Sequence, residues 1–90
     1  MPYARIVNIE YKSEEDVEIY FQKWEEWCPK NMPAAVSRTN VRTGANSTLL
    51  MAVYETEQIA EEAREAADKF FKMQAQHIHD VIEFHGEVLQ

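Results

Sequence analysis

The chain has 90 residues, 46% of them hydrophobic and 28% charged, which predicts a single globular domain over residues 1–90. Its 9 basic residues against 16 acidic ones give a formal net charge of −7, which argues against nucleic acid or an anionic membrane as a partner. The single cysteine excludes an internal disulfide framework, and no Cys-x-x-Cys pair is present to hold a structural zinc. Because neither a signal-like start nor a membrane-length apolar run occurs, we expect a cytoplasmic protein.

The first two predicted elements are a strand and a helix. Residues alternate from Tyr3 to Tyr11, and the more apolar set is expected to face the core: Tyr3, Arg5, Val7, Ile9 and Tyr11. Ser13 has the position of a helix N-cap, because acidic residues follow it in the first turn. The helix then carries one apolar stripe at helical spacing, formed by Val17, Tyr20, Phe21, Trp24, Trp27 and Cys28. Pro29 and Pro33 are expected to end it.

A predicted hairpin follows. Residues 35–43 are rich in Val, Thr and Arg and predict an edge strand, residues 44–46 form the turn, and residues 47–55 form the partner strand. This partner strand is apolar on both of its faces, so both faces need cover. We expect Met51 and Val53 to face the helices, and Leu50 and Ala52 to lie with Ile6 on the outer face of the sheet.

A second helix and a last strand complete the chain. Residues 57–75 predict a helix whose inner face is marked by Ile59, Ala63, Ala66, Ala67 and Phe70. Beyond residues 77–80 the period changes to two, which predicts a strand with a bulge at Gly86. The resulting order is that of an α+β, ferredoxin-like βαββαβ sandwich, a four-stranded antiparallel sheet with two helices on one face. Because helices cover only one face, we predict a homodimer formed through the sheet faces.

Several segments resemble the dimeric α+β barrel superfamily. They are the opening strand ARIVNIEYK, the Tyr20–Phe21–Trp24–Trp27 stripe, the two-faced strand STLLMAVYE and the closing HIHDVIEFHGEVLQ, so the resemblance covers essentially the whole chain. It implies that two sheets pack face to face to close a barrel across a dimer. It also implies a pocket for an apolar molecule between each sheet and its helices. Members of the superfamily include cofactor-free monooxygenases, haem-degrading monooxygenases and polyketide cyclases.

The resemblance also implies candidate catalytic residues. Polyketide cyclases of this superfamily pair a histidine near the end of the second helix with a pocket tyrosine, which is matched here by His77 or His79 and by Tyr54 or Tyr20. Histidine serves as a general base near neutral pH, but a histidine at a helix end is more often a cap or a surface residue. Haem degradation is disfavoured, because Asn8 falls on the strand face that is turned away from the helices.

The function that these patterns favour is binding of an apolar or amphipathic small molecule, fatty-acid-like or polyketide-like, between sheet and helices. The expected lining consists of Val7, Ile9, Tyr20, Phe21, Trp24, Met51, Val53, Phe70 and Ile78. Arg5 shares this face and needs an anion. An acidic side chain of the second helix or the last strand is favoured over a ligand carboxylate as its partner.

Two other functions stay open at this point. One is a dimeric structural or interaction domain with a solid core and no ligand. The other is a cofactor-free monooxygenase or cyclase that acts through His77 or His79. No metal and no cofactor are expected, because the three histidines with Asp80 and Glu83 match no known zinc or iron ligand spacing.

Overall fold

The structure is a computed structural model that describes residues 1–90 as one four-stranded sheet with two helices packed on it. The strands are β1 (Tyr3–Tyr11), β2 (Ser37–Gly44), β3 (Ser47–Tyr54) and β4 (Ile78–Glu87). The helices are α1 (Glu14–Asn31) and α2 (Glu57–Met73), and a short 3₁₀ turn, Ala75–His77, precedes β4. The strands lie in the order β2-β3-β1-β4 with every neighbouring pair antiparallel. The predicted ferredoxin-like βαββαβ fold is therefore confirmed.

Helix α1 begins where the sequence predicts and ends later. Ser13 caps it, because its Oγ accepts a hydrogen bond from the Asp16 amide at 3.2 Å. The expectation that Pro29 ends the helix is wrong, since Pro29 lies within the last turn. A proline there removes a single backbone hydrogen bond, and the Met32 amide still donates to the Cys28 carbonyl at 3.0 Å.

The register of the central strands decides which side chains face the helices. Val7 pairs with Leu50 and Ile6 pairs with Met51, so each pair shares a face of the sheet. The β1 prediction is confirmed, because its helix-facing residues are buried. The predicted orientation of β3 is wrong: Leu50 and Ala52 are buried beneath the helices, and Met51 lies on the outer face with 48% of its surface exposed. Both faces of β3 are apolar, and only the pairing with β1 distinguishes them.

Strand β4 begins with an irregularity that the sequence placed elsewhere. Glu10 pairs with Asp80 and Tyr11 pairs with Ile78, so His79 is the extra residue of a bulge. The prediction of a bulge at Gly86 is wrong, because Gly86 pairs regularly with Ala4. The additional residue lies instead where the chain leaves the 3₁₀ turn and enters the sheet.

The core joins both helices to the inner sheet face around Phe70, which is 1% exposed. Its ring centre lies 5.2 Å from that of Tyr20, 5.3 Å from that of Trp24 and 4.8 Å from that of Trp27. Trp24 and Trp27 are themselves 5.8 Å apart. Helix α2 contributes small side chains to this core, since its other buried residues are Ala60, Ala63 and Ala67.

The outer sheet face, defined by the side chains that point away from the helices, is largely apolar. Its most exposed apolar members are Val41, Met51, Ile82 and Phe84, and Ile6, Leu49 and Val53 lie half-buried among them. Neither helix contains a stretch that is both long and apolar enough to cross a membrane.

Candidate functional site

A cleft of about 670 Å³ opens between α1 and the edge strand β2, and we call it the α1–β2 cleft. Helix α1 leads back from the end of β1 to the start of β2, so its first turns lie beside Arg42 and its last turns beside Arg38. The helical wall extends from Val17 to Pro29, which is roughly 18 Å along the helix axis. The cleft is therefore elongated and differs at its two ends.

The helical wall of the cleft is apolar. Val17, Phe21, Trp24 and Cys28 follow one another at spacings of three or four residues, so they form one ridge of α1 that faces β2. Trp24 is buried and stacks on Tyr20, with ring centres 6.4 Å apart and planes inclined by 7°. Phe21 remains half-buried because the cleft leaves one side of its ring open.

The strand wall of the cleft is polar. Arg38, Asn40 and Arg42 alternate along the helix-facing side of β2, and Thr48 of β3 lies beside them. The Thr48 hydroxyl hydrogen bonds to the Tyr11 hydroxyl at 2.9 Å. Burial raises the pKa of Tyr11 to about 12, although this hydrogen bond lowers it in part. Tyr11 is thus a neutral phenol that anchors the wall and does not act as a base.

Arg42 closes one end of the cleft and is fully engaged by the protein. Its Nη1 forms an ion pair with the Glu18 carboxylate across the cleft at 2.9 Å. Its Nη2 and Nε donate to the carbonyls of Ala45 at 2.9 Å and Gly44 at 3.3 Å. This guanidinium has a counterion and therefore little need for another.

Arg38 at the other end has only neutral partners. Its Nη2 donates to the Pro33 carbonyl at 2.9 Å and to the Tyr54 hydroxyl at 3.4 Å, and its Nη1 contacts Cys28 Sγ at 3.5 Å. The guanidinium carbon lies 5.8 Å from the centre of the Tyr54 ring, within cation–π range. The Nε atom is buried and has no hydrogen-bond partner. A partly buried cation without a carboxylate is an unusual arrangement that favours an incoming anion.

Cys28 contributes to the cleft as an apolar group. Burial raises the pKa of its thiol, and the nearby Arg38 offsets this only in part. The thiol is therefore protonated at neutral pH, which agrees with the expectation that no catalytic thiolate is present.

The expected lining residues are divided among three places. Phe21 and Trp24 do line the α1–β2 cleft. Val7, Ile9, Tyr20 and Phe70 are buried in the core cluster, and Ile78 packs against its edge. Met51 and Val53 lie on the outer sheet face, which follows from the corrected orientation of β3.

Arg5 is committed to the protein itself. It is 5% exposed, and its Nη2 lies 3.3 Å from a Glu83 carboxylate oxygen on β4. The favoured prediction, an acidic partner on the last strand, is confirmed.

The candidate catalytic residues lie outside the cleft. His77 is buried, and its Nδ1 lies 2.7 Å from Asp16 Oδ1, which ties the 3₁₀ turn to the start of α1. The hydrogen bond from His77, assisted by one from Ser13, holds the pKa of Asp16 below its usual range. His79 is exposed at the bulge. Tyr54 is buried and reaches the cleft only through Arg38. No group of three or more His, Cys, Asp or Glu residues is placed to hold a metal ion.

The strand wall of the cleft was missed by the sequence reasoning. Arg38, Asn40 and Arg42 alternate on a strand already assigned to the sheet edge. Polar residues on the helix-facing side of a strand are the signal that could have identified them, because such a face is normally apolar.

Comparison with known proteins shows the fold. No protein-family model matches the chain, and no curated protein matches its sequence. Solved structures do match over nearly its full length. A dimeric ferredoxin-like protein from an uncultured marine organism has a TM-score of 0.76 at 12% identity, covering 99% of this chain and 89% of the other.

Two similar structures are described as oxygenases. SnoaB, a cofactor-independent oxygenase from Streptomyces nogalater studied as its N63A mutant, has a TM-score of 0.74 at 13% identity, covering 99% and 94% of the two chains. A protein from Nitrosomonas europaea, described provisionally as an antibiotic biosynthesis monooxygenase, has a TM-score of 0.74 at 15% identity, covering 98% and 90%. At this identity the likeness establishes the fold, and it confirms the resemblance to dimeric α+β barrel proteins at that level.

Proposed function

We propose that this protein is a homodimer that binds an apolar or amphipathic small molecule in the α1–β2 cleft. The observation that carries the proposal is the cleft itself, which places an aromatic wall opposite a polar strand with an unpaired arginine at one end. Its volume of about 670 Å³ is within the range typical of small-molecule sites. The ligand position expected from the sequence, between sheet and helices, is kept but moved from the centre of the layer to the β2 edge.

The oxygenase descriptions of similar structures give this proposal some support. An oxygenase acts on a bound organic substrate, and the cleft offers this chain a place for one. The alternative of a monooxygenase or cyclase acting through His77 or His79 is less favoured, because neither histidine lines the cleft. Binding without catalysis needs no such base, so it is the function we put first.

The homodimer is supported by the outer sheet face. Met51 and Phe84 leave 48% and 60% of their surface exposed next to other apolar side chains, and no helix of the same chain covers them. Soluble monomers rarely expose a continuous apolar patch of this kind. A similar structure is described as dimeric, which agrees with this use of the face.

The binding proposal is tested by calorimetric titration with medium-chain and naphthalene-based compounds. We expect Phe21→Ala to weaken binding about tenfold, because a buried aromatic contact is lost. Phe71→Ala is the matched control, since Phe71 is also half-buried but lies on α2 away from the cleft. If no compound binds and organic extracts of fresh protein hold none, the solid-core interaction domain is the better reading.

The dimer proposal is tested by light scattering on a size-exclusion column. The wild type is expected at twice the mass of one chain, and Met51→Glu at the mass of one, because a buried charge opposes the interface. Met73→Glu is the control, since Met73 is an exposed methionine on α2 and the change should leave the dimer intact. A wild-type monomer at micromolar concentration would contradict the proposal.

A further inference from the structure

We infer that the ligand of the α1–β2 cleft carries a carboxylate, and that Arg38 binds it. This inference rests on the proposed function and names the chemical class of its ligand. It comes from the charges of the cleft and not from its shape, so the two can be tested separately.

Arg38 differs from every other arginine of the chain. Arg5 pairs with Glu83, Arg42 with Glu18, and Arg64 with both Glu61 and Asp68. Arg38 alone of the four has no carboxylate within ion-pair distance, although the chain has 16 acidic residues. A guanidinium keeps its charge at any physiological pH, so the charge at Arg38 has to be balanced from outside the chain.

The bonds of Arg38 hold the side chain in place and still leave it able to bind. A guanidinium has five N–H donors. Three contacts use them here, to the Pro33 carbonyl, the Tyr54 hydroxyl and Cys28 Sγ. The sulfur at 3.5 Å is a weak acceptor that a carboxylate oxygen would readily replace. The two oxygen acceptors keep the side chain oriented while that happens.

The rest of the cleft sets the orientation of the ligand. From Arg38 the apolar ridge leads past Cys28, Trp24 and Phe21 to the end closed by the Arg42–Glu18 ion pair. A molecule with its carboxylate at Arg38 therefore lays an apolar body against the two aromatic rings. Glu25 also lines the cleft and has no ion-pair partner, so its negative charge opposes the ligand and limits the affinity.

The test compares acids with alcohols of the same skeleton by calorimetry. The pairs are decanoate with decanol and 2-naphthoate with 2-naphthalenemethanol, which separate a chain-like from an aromatic ligand body. Wild-type protein should bind the acid of at least one pair about 10- to 100-fold more tightly than its alcohol, the range expected for hydrogen bonds to a charged group.

Three variants locate the effect. Arg38→Gln should remove the preference for the acid and leave the alcohol affinity within about threefold. Arg42→Gln removes the same formal charge from the same cleft and should reduce acid binding by no more than about threefold, because that charge is already paired. Glu25→Gln should tighten acid binding roughly twofold by removing a like charge. Thermal melting checks that each variant is folded.

The outcomes separate this inference from the proposed function. Equal affinity for acid and alcohol in the wild type overturns the carboxylate inference and leaves ligand binding in the cleft standing. An equal loss of acid binding in Arg38→Gln and Arg42→Gln also overturns it, because the charge would then act without a specific contact. If neither member of any pair binds, the proposed function itself fails. The wild-type ratio needs no variant, so an unfolded Arg38→Gln protein does not block the test.

Discussion

The two helices meet the two edges of the sheet in different ways. Between α1 and β2 lies a cleft of about 670 Å³, whereas the cleft between α2 and β4 measures about 340 Å³. Helix α2 buries three alanines and so lies close to the sheet, while α1 buries Tyr20 and Trp24 and is held further from its edge strand. The size of the side chains under a helix thus decides whether the helix closes onto the sheet or leaves room for a ligand.

The charges follow the same division. On the α2 side, Arg5 and Arg64 are each neutralised by carboxylates, and Glu83 is one of the residues lining the smaller cleft. On the α1 side, Arg38 is left with neutral acceptors only. One edge is therefore built as a closed and charge-balanced structure, and the other keeps both space and an unpaired charge.

The largest difference between the two sides is expected from truncation of aromatic side chains. Phe70→Ala should lower the free energy of unfolding by about 3–5 kcal/mol, because Phe70 is fully buried and contacts rings of both helices. Phe21→Ala should cost about 1 kcal/mol, because Phe21 already faces open space. Urea unfolding of both variants measures this. Equal losses would mean that the α1 side is as tightly packed as the α2 side.

The next largest effect is expected from the ion pairs. Glu83→Gln should lower the free energy of unfolding by about 2–3 kcal/mol, since it leaves the buried Arg5 without a counterion. Glu18→Gln breaks the exposed pair with Arg42 and should cost less than about 1 kcal/mol. High salt should weaken the contribution of Glu18 more than that of Glu83. The reverse order of losses would contradict the description of the α2 side as charge-balanced by burial.

Added volume tests the comparison in the opposite direction. Ala63→Leu should cost about 1–3 kcal/mol, because Ala63 is buried under α2 and the extra methyl groups would push the helix off the sheet. Cys28→Leu should cost less than about 1 kcal/mol, since its side chain borders the open cleft. Thermal melting of the two variants provides the measurement. A larger loss for Cys28→Leu would show that the cleft closes in solution.

The smallest effect is confined to acid and concerns the contact between the two sides. Hydrogen bonds from His77 and Ser13 lower the folded-state pKa of Asp16 below 3.8. The stability that this carboxylate contributes is present above the pKa of its unfolded form and is lost as the pH falls through the folded value. Asp16→Asn should therefore be less stable than wild type at pH 7, and the two proteins should converge in strong acid. A constant difference from neutral pH to strong acid would rule out this account.

The parts of the fold that could be predicted are those with one dominant apolar face. Val7 and Ile9 contrast with Asn8 and Glu10, so the orientation of β1 was evident from alternation alone. In β3, Leu50 and Met51 are alike in hydrophobicity, and a shift of one residue exchanges the faces. Only the hydrogen-bonded pairing with β1 resolves this, and pairing between distant strands cannot be read from local periodicity.

The candidate site could be predicted on one wall only. Phe21 and Trp24 belong to the helical stripe, so their place under α1 followed from spacing. Arg38 owes its character to Pro33, Cys28 and Tyr54, which come from a loop, a helix and a neighbouring strand. The absence of a carboxylate from that neighbourhood is a property of the folded chain that no local pattern records.

The position of the two tryptophans gives the molecule an optical asymmetry. Both lie on α1, their indole rings are tilted by 35° at a separation of 5.8 Å, and the chain has no others. Indole emission consequently follows only the surroundings of α1, and excitonic coupling between the two rings depends on their remaining packed together. Amide absorption, in contrast, reports on both helices and the sheet. A mismatch between the two signals during unfolding would reveal α1 detaching while α2 still holds the sheet.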